Sequence, residues 1–269
     1  MLGMDPALVA GMVLVLLACL VSPASEPVLL SAPIWSAAGD HASASVRTWS
    51  RGGESGRLVS VEIAPEAAIS VLTTNTPTPL QELLPEGELV AINGGFYDGA
   101  GEAMGLSVSS GRPISPLQQG GGSGVLLLSA DGHRIVHRDA VDSLDGVSGA
   151  VQSIDRLVAK GRILVSEQAS EARDARSAVA VTAAGGLILA VVFAEEAVGR
   201  ETEADIYLDA ESSSSGVTLR EWAGLMVRLG GVSALNLDGG FSTSIHIALG
   251  EERLDVHPHG ATINAVIAR

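Results

Sequence analysis

The chain has 269 residues, with 31 Asp and Glu against 16 Lys and Arg, a formal net charge of −15. At 46% hydrophobic it can bury a sizeable core, which excludes a disordered chain. That charge repels phosphates, and aromatics are only 3%, which argues against a nucleic-acid surface or a base-stacking platform.

The single cysteine, Cys19, lies in an apolar N-terminal run, so the body of the protein holds no disulfide, catalytic thiol or Cys-rich zinc site. That run, Ala7 to Val21, is shorter than the roughly 20 residues a membrane span needs. It fits the core of a secretory signal, with Ser22-Pro23-Ala24 supplying small residues for cleavage. Leu16-Leu17-Ala18-Cys19 also resembles a lipoprotein cleavage box, and an uncleaved anchor is a further alternative, although Met1 to Pro6 lacks the usual Lys or Arg. Residues 1–25 are expected as signal peptide or membrane anchor, placing the rest outside the cytoplasm. Residues 26–45, rich in Ser, Ala and Pro, read as a linker.

From Val46 the pattern changes. Leu58-Val59-Ser60-Val61-Glu62-Ile63 alternates as a half-buried strand does, and Ala68 to Thr73 reads as its partner. Thr76-Pro77-Thr78-Pro79 marks a turn before a short helix, Leu80 to Leu84. Glu88 to Ile92 is a buried strand running into Asn93-Gly94-Gly95. Leu106 to Val108, Val125 to Leu128, Arg134 to Val136, Val151 to Val158, Arg162 to Val165, Ala178 to Val181 and Leu187 to Val192 are further strands. One clear helix follows. Thr218 and Glu221 form a capping box, and Leu219, Trp222, Ala223, Met226 and Val227 repeat at helical spacing until Gly230-Gly231. Val232 to Leu237, Ser242 to Leu249 and Thr262 to Ile267 are the last strands. The expected class is α+β: a single strand-rich domain over 46–269, with a mixed, mainly antiparallel sheet and few helices. Regular strand–helix alternation, the mark of a doubly wound fold, is missing.

Two segments echo one another: Ala91-Ile92-Asn93-Gly94-Gly95-Phe96 and Asn236-Leu237-Asp238-Gly239-Gly240-Phe241. Paired glycines after a strand permit positive φ and uncover backbone amides, which suits an anion or a sugar oxygen. A plain hairpin turn is the alternative. Taken with Ser215 to Ala223 and the run Ala234 to Thr243, these segments resemble the phosphodiester glycosidase family. Met104 to Arg112, Val151-Gln152-Ser153, Leu157 to Gly161, Arg176 to Ala180 and Ile263-Asn264-Ala265 are similar to it more loosely, in order over residues 58–269. The resemblance implies an extracytoplasmic hydrolase that cleaves a sugar-1-phosphodiester, between the anomeric carbon and the phosphate oxygen, in a glycan or envelope polymer. A non-catalytic envelope protein of the same fold, binding a glycan or protein partner, stays open beside it. Three departures bear on this choice: Phe241 where the family often has glycine, Asp209-Ala210-Glu211 where many members have Asp-Gly-Arg, and Asp155 where glycine or proline is usual.

Glycoside hydrolysis normally uses two carboxyl groups. A phosphate monoester, with a second pKa of about 6, departs readily, so a cation to hold it matters more than a strong acid. Under the resemblance Asp238 is the first catalytic candidate, with Glu221 and Asp209 as candidates for a second carboxyl. Arg176 is the phosphate-binding candidate, against a plain ion pair with Asp174 or Glu171. Asn93, Gly94, Gly95, Gly239, Gly240, Ser242 and Thr243 are the other substrate-binding candidates. His246 is read as a strand histidine or an acid. No cofactor is implied, while a divalent metal stays open through Asp98 with Glu102 or through His257-Pro258-His259. The implied partner is a sugar-phosphate or glycan, with no nucleic acid, and with membrane contact only through the N-terminal segment.

Overall fold

A computed structural model describes residues 26–87, 89–120, 122–166, 171–209 and 215–269. The N-terminal apolar run lies outside them. The fold is mostly β, and its twenty described strands form three sheets rather than the one expected. In the largest, the order is β1 (Leu29–Ala38), β2 (Ala42–Arg51), β3 (Glu54–Ile63), β14 (Leu187–Ala194), β13 (Arg176–Thr182), β17 (Gly231–Asn236), β11 (Arg156–Ala159) and β12 (Arg162–Ile163). A seven-stranded sheet runs β15 (Val198–Glu201), β16 (Asp205–Leu208), β19 (Glu252–His257), β18 (Ile245–Leu249), β5 (Leu89–Asn93), β20 (Thr262–Ala268) and β4 (Ile69–Thr78). The smallest is β7 (Arg112–Ser115), β6 (Ser107–Ser109), β10 (Val147–Ser153), β8 (Gly124–Ser129) and β9 (Arg134–His137). Among the described strands only β16 and β19 pair in parallel.

The main core lies between the two larger sheets, with the small sheet adding Leu126, Leu128 and Val151. Strand β14 shows why its sequence is an unbroken apolar run. Leu187, Leu189, Val191 and Phe193 enter this core, while Ile188, Ala190, Val192 and Ala194 face a second cluster under helix α2 (Leu219–Arg228). A strand covered on both faces has no polar side to show. The helix begins as expected: Thr218 and Glu221 form the capping box, and Trp222, Ala223 and Met226 are buried. Helix α1 (Leu80–Leu83) places Leu80 in a smaller cluster on the outer side of the seven-stranded sheet.

Four expectations are corrected. Residues 26–45 are not a linker, because they hold β1 and the start of β2. β1 is a mostly exposed edge strand with a register break at Pro33, so its sequence carries almost no apolar alternation. The 68–73 segment does not pair with 58–63. Strand β3 lies between β2 and β14, and β4 pairs with β20 in the other sheet. The stretch 151–158 is two strands in two sheets, split at Ile154 and Asp155. Residues 240–242 form one 3-10 turn before β18.

Strand direction brings the two glycine-paired segments to one end. Asn236 of β17 pairs with Ala178, so the end of β17 lies beside the start of β13. Ile92 of β5 pairs with Ile245 and with Val266, so the end of β5 lies beside the start of β18 and the middle of β20.

Candidate active site

The two glycine-paired segments meet. Asn93 ends β5 and is fully buried. Its Oδ1 accepts from the Ser177 hydroxyl at 2.7 Å and from the Ser244 amide at 3.1 Å, and its Nδ2 donates to the Asp238 carbonyl at 2.7 Å. The Asp238 amide in turn donates to the Gly94 carbonyl at 2.9 Å. The Asn93 carboxamide therefore pins the Asp238 turn from beneath, with both acceptor positions of its oxygen taken up inside the protein. The first glycine pair is consumed in the same way. Gly94 donates to the Asn264 carbonyl at 2.7 Å, and Gly95 to the Asn264 Oδ1 at 2.8 Å. Neither has positive φ. They are glycines because a Cβ on Gly94 would lie 1.8 Å from Asn264 Oδ1, and one on Gly95 2.5 Å from the Gln152 carbonyl. The expectation of free amides at this pair is corrected: close packing against Asn264 and Gln152 requires the glycines.

The second pair sits against the start of β13. Gly240 donates to the Ala175 carbonyl at 2.8 Å, and a Cβ on Gly239 would fall 2.7 Å from that same oxygen. Only Gly240 of the four has positive φ, at 54°. A Cβ there would lie 3.1 Å from Asp174 Oδ1, so the Asp174 carboxyl rests against this turn. Asp238 itself is half-buried at the rim. Burial pushes its carboxyl up to about 6, and the neighbouring Asp174 charge adds to this. Hydrogen bonds from the Ser242 side chain and the Gly239 amide act in the other direction.

Asp174 neighbours Asp238 and, together with Asp155, interacts with Arg176. Burial raises both Asp174 and Asp155, and the Arg176 charge offsets part of each rise. Burial also lowers Arg176, against the attraction of the same two acids. The guanidinium donates through Nη2 to the Ala172 carbonyl at 3.0 Å and through Nε to the Val217 carbonyl at 3.4 Å. Asp174 is fixed by a two-residue bridge to Val217, and Asp155 accepts through its carbonyl from the Asn236 amide. Sequence reasoning left Asp174 as an ion-pair partner and Asp155 as an odd residue. The signal was present in their spacing from Arg176 and β11, but only strand pairing shows that the two loops converge.

The remaining candidates are placed as follows. Ser242 is buried with its side chain on Asp238, and Thr243 is fully buried. Glu221 is committed to structure. Its Oε2 accepts from Arg51 at 2.6 Å, Arg173 at 3.0 Å and the Thr218 amide at 2.8 Å. Asp209 is exposed just after β16, and its amide donates to the Ala197 carbonyl. Ala210 and Glu211 lie outside the described residues. The Asp98 carboxylate accepts from the Ala100 and Glu102 amides and so closes its own loop. His246 pairs with buried Asp255 at 2.7 Å, on the strand face away from Ile245 and Ile247 of the main core. Among the described residues only Asp205, Asp255 and His257 bring three metal-ligating atoms together, within 4.8 Å, and this group does not include Asp238. Its carboxylate oxygens already face Thr202, His246, Arg253 and His257.

Residues 86–267 match the phosphodiester glycosidase family, more than half the chain and the whole of the site just described. The chain belongs to this family. It is 28% identical over 170 residues to N-acetylglucosamine-1-phosphodiester alpha-N-acetylglucosaminidase from Bos taurus, and 30% identical over 171 residues to the enzyme of that name from Mus musculus. Each match covers 60% of the chain, but only 31% and 32% of the two relatives. The fold is similar to the catalytic domain of the zebrafish enzyme, with a TM-score of 0.62 at 16% identity over 91% of this chain and 88% of that one. It is also similar to a hypothetical protein from Synechocystis, with a TM-score of 0.55 at 19% identity over 93% and 64%.

Proposed function

We propose that this phosphodiester glycosidase family member is an extracytoplasmic hydrolase of a sugar-1-phosphodiester, working at the Asp238 turn. The observation that carries the reading is Asp238 itself: a rim carboxyl that burial holds near pKa 6, rigidly pinned, with the start of β13, where Arg176 stands, packed against its turn. A carboxyl poised near the working pH is suited to proton exchange in a transition state. Asp238 takes a proton from the attacking water. The water oxygen bonds to the anomeric carbon, and the bond from that carbon to the phosphate oxygen breaks. The phosphate monoester leaves with the electron pair, and Arg176 holds its charge. Asp174 keeps Asp238 from ionising early. The location rests on the N-terminal apolar run. Among the described residues no helix is long and apolar enough to cross a membrane.

The test is turnover of a panel of hexose-1-phosphate diesters by the purified chain, followed as release of free sugar. Activity that rises with pH through about 6, with Asp238→Asn and Arg176→Ala each lowering kcat/KM at least about a hundredfold, is the expected result. Retained glycan binding without turnover across the panel would establish a binding protein instead.

A further inference from the structure

We propose that Phe241 is the sugar-recognition residue of the Asp238 site, its ring serving as the platform on which the C–H face of a pyranose stacks. The proposal rests on the functional reading above and adds a residue that sets specificity. Residues Gly240–Ser242 form a single 3-10 turn, in which successive side chains point about 120° apart. Gly240 faces the Asp174 carboxyl and Ser242 hydrogen-bonds Asp238. The third direction belongs to Phe241, which is rooted within one turn of both acids and is 54% exposed. It is the one exposed Phe, Tyr or Trp among the described residues.

This exposure is built on a fixed backbone. The Gly260 amide donates to the Phe241 carbonyl at 2.7 Å, and Thr243 closes the turn on Gly240 at 3.2 Å. Gly260 also lets its loop come close, since a Cβ there would lie 3.0 Å from the Phe241 carbonyl. The His259 ring supports Phe241 from one side, tilted at 52° with centroids 5.8 Å apart. A pyranose presents hydroxyls at its edge and polarised C–H bonds on its face. Carboxyls and an arginine suit the first, and the electron-rich face of an aromatic ring suits the second. A glycine at this position offers no such face.

The experiment is saturation-transfer NMR of a hexose-1-phosphate methyl diester, and of a glycerol phosphate methyl diester as an acyclic control, on the full chain and on Phe241→Gly, Phe241→Leu and Phe241→Trp. Turnover of the hexose diester is measured alongside. The proposal expects strong transfer to the pyranose ring protons in the unaltered protein. It also expects roughly tenfold weaker binding in the Gly and Leu variants, recovery in Trp, and no change for the glycerol diester. In kinetics the loss falls on KM with kcat nearly unchanged. Equal sugar binding in Phe241→Gly overturns the proposal even if hydrolysis is found, as does recovery by Leu alone or no sugar binding at all. Phe241-dependent sugar binding without turnover keeps the proposal and defeats the hydrolase reading.

Discussion

Replacing Asp238 by Asn tests the central physical claim without any substrate. Holding this carboxyl near 6, against an ordinary 3.8, means that its charged form is disfavoured in the folded chain. The folded state then binds more protons than the unfolded state between about pH 4 and pH 6, so ionised Asp238 costs stability. The sign is therefore the reverse of a salt-bridged acid: the penalty is absent below about pH 4 and complete above about pH 7. Its size is at most about 3 kcal/mol, and less in practice because solvent reaches the rim. The carboxamide of Asp238→Asn carries no charge and can still accept from Ser242. The variant is expected to be more stable than the parent at pH 7.5, by up to roughly 6–12 °C in Tm, and equal to it near pH 4. Urea denaturation at pH 4, 5, 6 and 7.5 measures the difference. A variant that is less stable at pH 7.5, or a difference that stays flat between pH 4 and 7, would refute the claim that Asp238 is strained by its burial.

Asn93→Ala leaves the Ser177 hydroxyl, the Ser244 amide and the Asp238 carbonyl without their partner, and should cost about 2–4 kcal/mol in urea denaturation. Gly94→Ala and Gly95→Ala force a Cβ into Asn264 or the Gln152 carbonyl. Each should lose about 3 kcal/mol or more, whereas Gly99→Ala, with open space around it, should be near neutral by the same assay. Glu221→Gln weakens the hold on buried Arg51 and on Arg173 and should cost about 2–4 kcal/mol. Because its oxygen is already committed, kcat/KM of the folded fraction should stay within about threefold, and a hundredfold loss would return Glu221 to the chemistry.

Several parts of the molecule are legible along the chain because their causes are local. The capping box of Thr218 and Glu221 and the apolar stripe from Trp222 to Met226 lie within one helix. The run from Leu187 to Ala194 reads as a strand wherever it packs. The echo between the segments at Asn93 and Asp238 pointed to two turns that the structure brings together, since both end strands at the same edge of the core. Edge strand β1, largely exposed, left no apolar record of itself.

What the order of residues determined is a pair of matching turns: two short segments with an acid or amide and two glycines each. It did not determine that they divide the labour. Only the tertiary structure makes Asn93, Gly94 and Gly95 a buried clamp on Asp238. It alone sets Asp174 beside Asp238 and links Asp174 and Asp155 through Arg176, three residues that lie 62 to 83 positions before Asp238 in the sequence. The reason is physical. A side chain's identity fixes its inventory of donors and acceptors, but whether those groups are spent inside the protein or left for a ligand depends on what the sheets bring against them.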